Sequence, residues 1–144
     1  MSQTLHVLLE QVGPSTSKGT VRSHTVLVDR PTAKGGADRG PLGGEYFLLA
    51  LGGCFMSNLL AVIRSREAPI TDVQIAVTGT IDGTPDHFTA ITLSIAATHH
   101  DPELLQKLVT VSERACIVTN TLRDAVPISF VLREAPAGQT SAGS

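Results

Sequence analysis

The chain predicts an α+β domain in which one long apolar helix packs on antiparallel sheet. Three observations carry that prediction. Gly44–Arg66, GEYFLLALGGCFMSNLLAVIRSR, is the longest apolar run, with no charge from Tyr46 to Ile63. Apolar and polar residues alternate in Thr20–Asp29, Thr71–Thr80 and Phe88–Thr98, the period of half-buried strands. A capped helical segment then begins at Asp101-Pro102.

The 144 residues are 42% hydrophobic and 17% charged, which suits one domain with a real core. A single domain is expected over residues 1–133, followed by a small, polar, disordered tail, Glu134–Ser144. A formal net charge of -2 and 3% aromatic residues argue against a nucleic-acid binder, which uses a basic face and stacking aromatics. The start, MSQTLHVLLEQVG, lacks a basic n-region and an apolar h-region with a cleavage site, so an unexported, cytoplasmic protein is expected. In a reducing compartment the two cysteines, Cys54 and Cys116, are not a structural disulfide. They are either inert core residues or a redox pair.

In chain order, Leu5–Val12 reads as a first strand and Gly13–Gly19 as a turn. Thr20–Asp29 reads as a strand with a bend near Ser23, so the opening is a β-meander of two or three strands. Arg30–Gly44 is a glycine-rich loop without P-loop spacing and reads as a surface loop feeding the helix. The helix runs to about Glu67, and Pro69 stops it. A helix apolar on nearly every face is embedded in lipid or covered by protein. The strand-like flanks favour protein. So do Gly52 and Gly53, which each cost roughly 1 kcal/mol against alanine in a helix and so imply a close approach just before Cys54.

Thr71–Thr80 and Phe88–Thr98 form an antiparallel hairpin around the Asp82–Asp86 turn. The helix after Asp101 buries Leu104, Leu105, Leu108, Val111 and Ser112. Cys116 falls at a joint, where Thr119-Asn120 weakens the case for a second short helix, and Ala125–Leu132 is the last strand. So few strands cannot cover so apolar a helix, and a dimer sharing its sheets would.

No metal motif or cofactor signature is present. His99 and His100, adjacent on a strand end, point to opposite faces and read as solvated. Glu45 lies about two and a half turns from Cys54, on the opposite side of an ideal helix. It either complements the helix dipole or holds an arginine. Cys54, in an apolar helix, should have a raised thiol pKa and becomes reactive only when a cation or donor reaches it. A thiolate attacking a peroxide becomes sulfenic acid, which a second cysteine can condense to a disulfide.

The pattern G-P-x-x-x-E-x-x-L-L-A-L-G-G-C ending at Cys54, a hairpin, a helix and then E-R-A-C ending at Cys116 resembles the OsmC/Ohr superfamily. This comprises the osmotically inducible protein C and organic hydroperoxide resistance proteins. The likeness spans about His24 to Leu132, and H-T-V-L-V-D-R-P-x-x-x-G-G-A-D-R-G-P is most similar to the OsmC-like branch. It implies an OsmC-like fold in an intertwined homodimer with sites at the interface. The implied activity is a cysteine-based peroxidase on organic hydroperoxides, re-reduced by a lipoylated protein or another dithiol. By this likeness Cys54 is the peroxidatic and Cys116 the resolving cysteine, joined as a disulfide in turnover. Glu45 is the glutamate that orients an arginine, for which Arg22, Arg30 and Arg39 are the candidates. Gly43 and Ile117 stand where many members carry proline. Two other readings are a non-catalytic or small-ligand-binding dimer on the same fold, and a hot-dog-like acyl thioesterase.

Overall fold

The structure is a computed structural model that describes residues 1–134, so the expected tail lies outside the described residues except for Glu134, which is exposed. In chain order the elements are β1 (Leu8–Gln11), β2 (Ser17–Val21), β3 (His24–Val28), α1 (Gly43–Ser65), β4 (Thr71–Asp82), β5 (His87–Thr98), α2 (Pro102–Ala115), α3 (Ile117–Leu122) and β6 (Ile128–Leu132). A 3-10 turn, Thr32–Lys34, interrupts the loop before α1. The strands form two three-stranded sheets, β1-β2-β3 and β4-β5-β6. Backbone contacts group the chain into two compact units, Met1–Phe47 and Leu48 onward.

In the first unit both strand pairs are antiparallel, with Leu8 opposite Thr20 and Ser17 opposite Val28. The sequence suggested one strand bent near Ser23; the chain instead reverses there. Arg22, at φ 55, takes the left-handed turn position that glycine, asparagine or aspartate usually fills, so no turn residue announces the hairpin. The expected turn Gly13–Gly19 is shorter than predicted, because Ser17, Lys18 and Gly19 already belong to β2.

The loop from Arg30 to Gly44 is pinned rather than loose. Asp29, only 3% exposed, accepts hydrogen bonds from the Thr16 hydroxyl at 2.7 Å, the Arg39 N–H at 3.2 Å and the Arg30 N–H at 2.7 Å. The Tyr46 hydroxyl donates to the Leu27 carbonyl at 2.7 Å. A Cβ on Gly36 would run into the Arg30 carbonyl, and one on Gly40 into that of Leu27, so the loop folds this tightly only with glycine at both places.

In the second unit β4 and β5 form the long antiparallel hairpin, from Thr71 opposite Thr98 to Asp82 opposite His87. β6 pairs parallel to β5, Ile91 with Ile128 through Ile95 with Leu132, so this sheet is mixed where the sequence suggested antiparallel sheet throughout. The α2–α3 crossover makes the parallel pairing possible. Ile91, Leu93 and Ile95 of β5 are buried, on the alternating face expected from their spacing. On α1 the buried residues are Leu51, Gly52, Phe55, Leu59 and Ile63, one stripe at helical spacing. The Phe55 and Phe130 rings lie 4.9 Å apart, which seats α1 on β6. A Cβ on Gly52 would meet Val77 Cγ2 at 2.7 Å, so the close approach expected near Cys54 is that of β4; beside Gly53 there is open space.

Burial of α1 on every face does not occur within the single chain. Leu49 is 68% and Leu60 47% exposed, because a three-stranded sheet covers only one side of a helix. Among the described residues, α1 is the one helix long and apolar enough, by length and composition alone, to cross a membrane.

α2 begins as its sequence requires. Asp101 caps it, accepting from the Glu103 and Leu104 N–H groups at 3.0 and 3.2 Å, with Pro102 at the first position. Its core face is Leu105, Leu108, Val109 and Ser112, with Leu104 and Val111 half-buried at its margins.

Candidate functional site

Cys116 ends α2 and starts α3. Its N–H reaches back to the Glu113 carbonyl, while its sulfur accepts the Thr119 N–H at 3.5 Å as the cap of α3. The Thr119-Asn120 pair therefore does not end the helical structure, since the thiol supplies the cap that serine or threonine usually would. Asn120 also ties the joint, donating to the Arg114 carbonyl at 3.0 Å.

Cys54, half-buried at mid-helix on α1, meets this joint. Its sulfur lies near enough to that of Cys116 for each to act on the other's ionisation, and the Ile117 and Val118 N–H groups of α3 act on it too. The two free thiols, distant in sequence, are thus brought together by tertiary packing. One turn along α1, Asn58 donates to the Cys54 carbonyl at 2.9 Å and lies 3.9 Å from its sulfur.

The pair does not share its charge evenly. Burial pushes the Cys54 thiol up, and the Val118 and Ile117 N–H groups only partly offset this, since the Cys116 sulfur opposes a second negative charge. At Cys116 burial also opposes ionisation, but it is outweighed by Thr119, whose N–H is bonded to the sulfur and whose hydroxyl lies beside it outside hydrogen-bond geometry, by the Cys54 thiol and by the Val118 N–H, and the net direction is down. Among the described residues, no cation is among the largest influences on either sulfur.

Glu45 occupies the first turn of α1, where its Oε1 accepts the Leu42 N–H at 2.8 Å. This suits the first of the two roles expected for it, complementing the helix dipole, and adds a hydrogen bond that caps the helix start. Among the described residues it makes no ion pair with an arginine; the ion pair present is Arg123 with Glu113 at 3.6 Å. Arg22, Arg30 and Arg39 are exposed, Arg22 in the β2–β3 turn and the others at the two ends of the Asp29-anchored loop.

Three residues escaped sequence reading. Asp29, in sequence only the last residue of a strand, is buried and stays charged. Burial works against it, but Thr16, Arg39, Ser15 and Arg30 donors together hold its carboxyl well below the usual carboxylate range. Thr119, three positions after a capping cysteine, is a recognisable cap partner only once the cysteine is known to cap. His99 is half-buried with its Nδ1 unpartnered, rather than solvated as expected.

The comparisons with known proteins bear on the family and the fold. A family model described as OsmC-like protein matches residues 35–131. A search of the curated proteins finds no match. Among solved structures, the organic hydroperoxide resistance protein OhrB of Bacillus subtilis is 21% identical, with 91% of this chain and 98% of that one covered and a TM-score of 0.67. An organic hydroperoxide resistance protein OsmC from Legionella pneumophila is 18% identical, with 90% and 96% covered and a TM-score of 0.70. A putative osmotic stress induced and detoxification response protein from Psychrobacter arcticus is 12% identical, with 92% and 98% covered and a TM-score of 0.79. At these identities the likeness establishes the fold. With the family model matched over more than half its length, the chain belongs to the OsmC-like family.

Proposed function

We propose that the chain is a thiol-dependent organic hydroperoxide reductase. The observation that carries this reading is the proximity of two free thiols, Cys54 and Cys116, at the α2–α3 joint. In the first step the Cys54 sulfur attacks the terminal oxygen of the hydroperoxide, the O–O bond breaks, an alcohol leaves and Cys54 becomes a sulfenic acid. Cys116 then condenses with it to a disulfide, releasing water. A dithiol, either small or carried on a lipoylated protein, returns both thiols. Names of solved relatives that share the fold, from Bacillus subtilis and Legionella pneumophila, support the substrate class.

The burial that raises the Cys54 pKa gives the reading a requirement. A cation must reach the sulfur for the first step to be fast. Arg22, Arg30 and Arg39 are the proposed donors, with Glu45 holding the one used. We propose that a second copy completes the assembly, making a homodimer of 1–133 domains in the cytoplasm, with no nucleic acid or membrane as partner. The exposed Leu49 and Leu60 of α1 support it. So does an apolar concavity of about 320 Å³ on the first unit, lined by Leu9, Val21, Val26 and Val28. Obligate interfaces commonly bury 2,000 Å² or more in total, and light scattering showing a stable monomer at micromolar concentration would refute the dimer.

The test of the reaction is consumption of cumene hydroperoxide with a dithiol present, followed by intact mass. One equivalent should remove both thiols and leave the chain two hydrogens lighter, and Cys116→Ser should instead retain one added oxygen. Persistence of both thiols in the native chain would favour the second reading, a non-catalytic or small-ligand-binding dimer. The absence of a cation, among the described residues, from the largest influences on Cys54 is the observation on that side.

A further inference from the structure

We propose that the Thr119 hydroxyl is a positioning donor for the Cys116 sulfur, poised for the moment when Cys116 ionises to close on an oxidised Cys54. This rests on the peroxidase reading for its purpose, though not for its measurement. Thr119 is 1% exposed and Cys116 0% exposed. The Thr119 N–H already donates to the Cys116 sulfur at 3.5 Å, which fixes the threonine beside it. Its hydroxyl, however, has no hydrogen-bond partner in geometry among the described residues. Buried hydroxyls without a partner are rare, and valine, of the same shape, would fill the site without that cost. An orphan hydroxyl that a χ1 rotation can aim at a neighbouring sulfur has a role once that sulfur carries charge.

The other groups facing Cys116 are few. From α1 comes the Cys54 thiol, and from α3 the Val118 and Thr119 N–H groups. Of the charges nearest along the chain, Arg114 is exposed and is not among the groups acting on the sulfur, and Glu113 is paired with Arg123 at 3.6 Å. The sulfur therefore depends on neutral donors for its ionisation; the Thr119 N–H is one of them, and the hydroxyl beside it would add another.

The step served is the condensation. The Cys116 thiolate attacks the sulfur of the Cys54 sulfenic acid, an S–S bond forms and the S–O bond breaks. Hydroxide leaves and takes up the proton that Cys116 released, giving water. The Cys116 sulfur is oxidised as the sulfenic sulfur is reduced, so no outside oxidant or reductant enters. While a thiol pKa stands above ambient pH, each unit by which a donor lowers it gives tenfold more thiolate. The accompanying loss of nucleophilicity is about threefold, so closure is faster by about threefold.

The experiment reads the ultraviolet absorbance of the Cys116 thiolate against pH in a Cys54→Ala background. Thr119→Val should raise the midpoint by about one pH unit, and Thr119→Ser should return it towards that of the threonine protein. Where Thr119→Val does not fold, Thr119→Ala removes the same hydroxyl. An unmoved midpoint without the hydroxyl, or an equal rise in Thr119→Ser, overturns the proposal. In the two-cysteine chain, Thr119→Val should slow disulfide closure about threefold at pH 7 after one equivalent of cumene hydroperoxide; an unchanged closure rate also overturns it. A native chain that consumes no hydroperoxide would sink the peroxidase reading by itself, and the Cys116 midpoint would still decide this one.

Discussion

Asp29 and the Cys54–Cys116 pair are both ionisable groups taken out of water, and their surroundings bring them to opposite ends. Asp29 meets donors from four residues, and its charge becomes the pin that holds a tight glycine loop. The two sulfurs share a smaller set of neutral donors, and only one of them gains from it. The number and kind of donors thus separates a structural charge from a chemical one. A fully satisfied carboxylate is inert, whereas a half-satisfied pair of thiols keeps a proton that can be traded and a sulfur that can be oxidised.

The sharpest break of this contrast is at Cys54. Cys54→Ser should reduce hydroperoxide consumption with a dithiol to the uncatalysed rate, while Asp29→Asn should retain turnover in whatever fraction is folded. Equal activity in Cys54→Ser and the native chain would make the thiol site as inert as the carboxylate. The next effect is on acid stability. The folded Asp29 carboxyl titrates below that of the unfolded chain, so its contribution is fully present above about pH 4 and is lost as pH falls. Asp29→Asn should lower the melting temperature at neutral pH and flatten its acid limb; an unchanged pH profile would remove Asp29 as the pin.

A smaller effect is expected at Gly52, where β4 crowds the turn of α1 that carries Cys54. Gly52→Val should cost about 1–3 kcal/mol in denaturant unfolding, because Val77 has to move. A neutral result would show that the thiol-bearing helix can slide on its sheet. Smallest is Glu45→Ala. Loss of its bond to the Leu42 N–H should cost about 0.3–1 kcal/mol. If Glu45 also holds an arginine for Cys54 in the assembled protein, the rate of peroxide reduction falls further than stability does; if the rate is unchanged, its role is the helix end alone.

How much of this could be read from the chain follows from how local each feature is. The apolar run, the β4–β5 alternation and the Asp101-Pro102 cap are written within a few residues of each other, and all three appear where expected. Cys116 at a helix joint was legible for the same reason. The β2–β3 reversal was not, because Val21–His24 contains none of the residues that prefer a left-handed turn. Nor was the parallel seat of β6, since a strand's sequence does not name its partner. Asp29 and Thr119 were missed because their meaning lies in what surrounds them. The proximity of Cys54 to Cys116 could be expected only from family likeness, as no local pattern joins α1 to α3.

The pairing of the second sheet also sets an order of assembly. Asp82 lies opposite His87 across a short turn, but Ile91 meets Ile128 only after both α2 and α3 have intervened. Closing short loops costs less chain entropy, so the hairpin should form early and β6 should dock late. The Cys116 joint belongs to the segment that docks late. A chain still folding therefore carries its two thiols apart, and the proposed redox pair would be complete only when its last strand is in place.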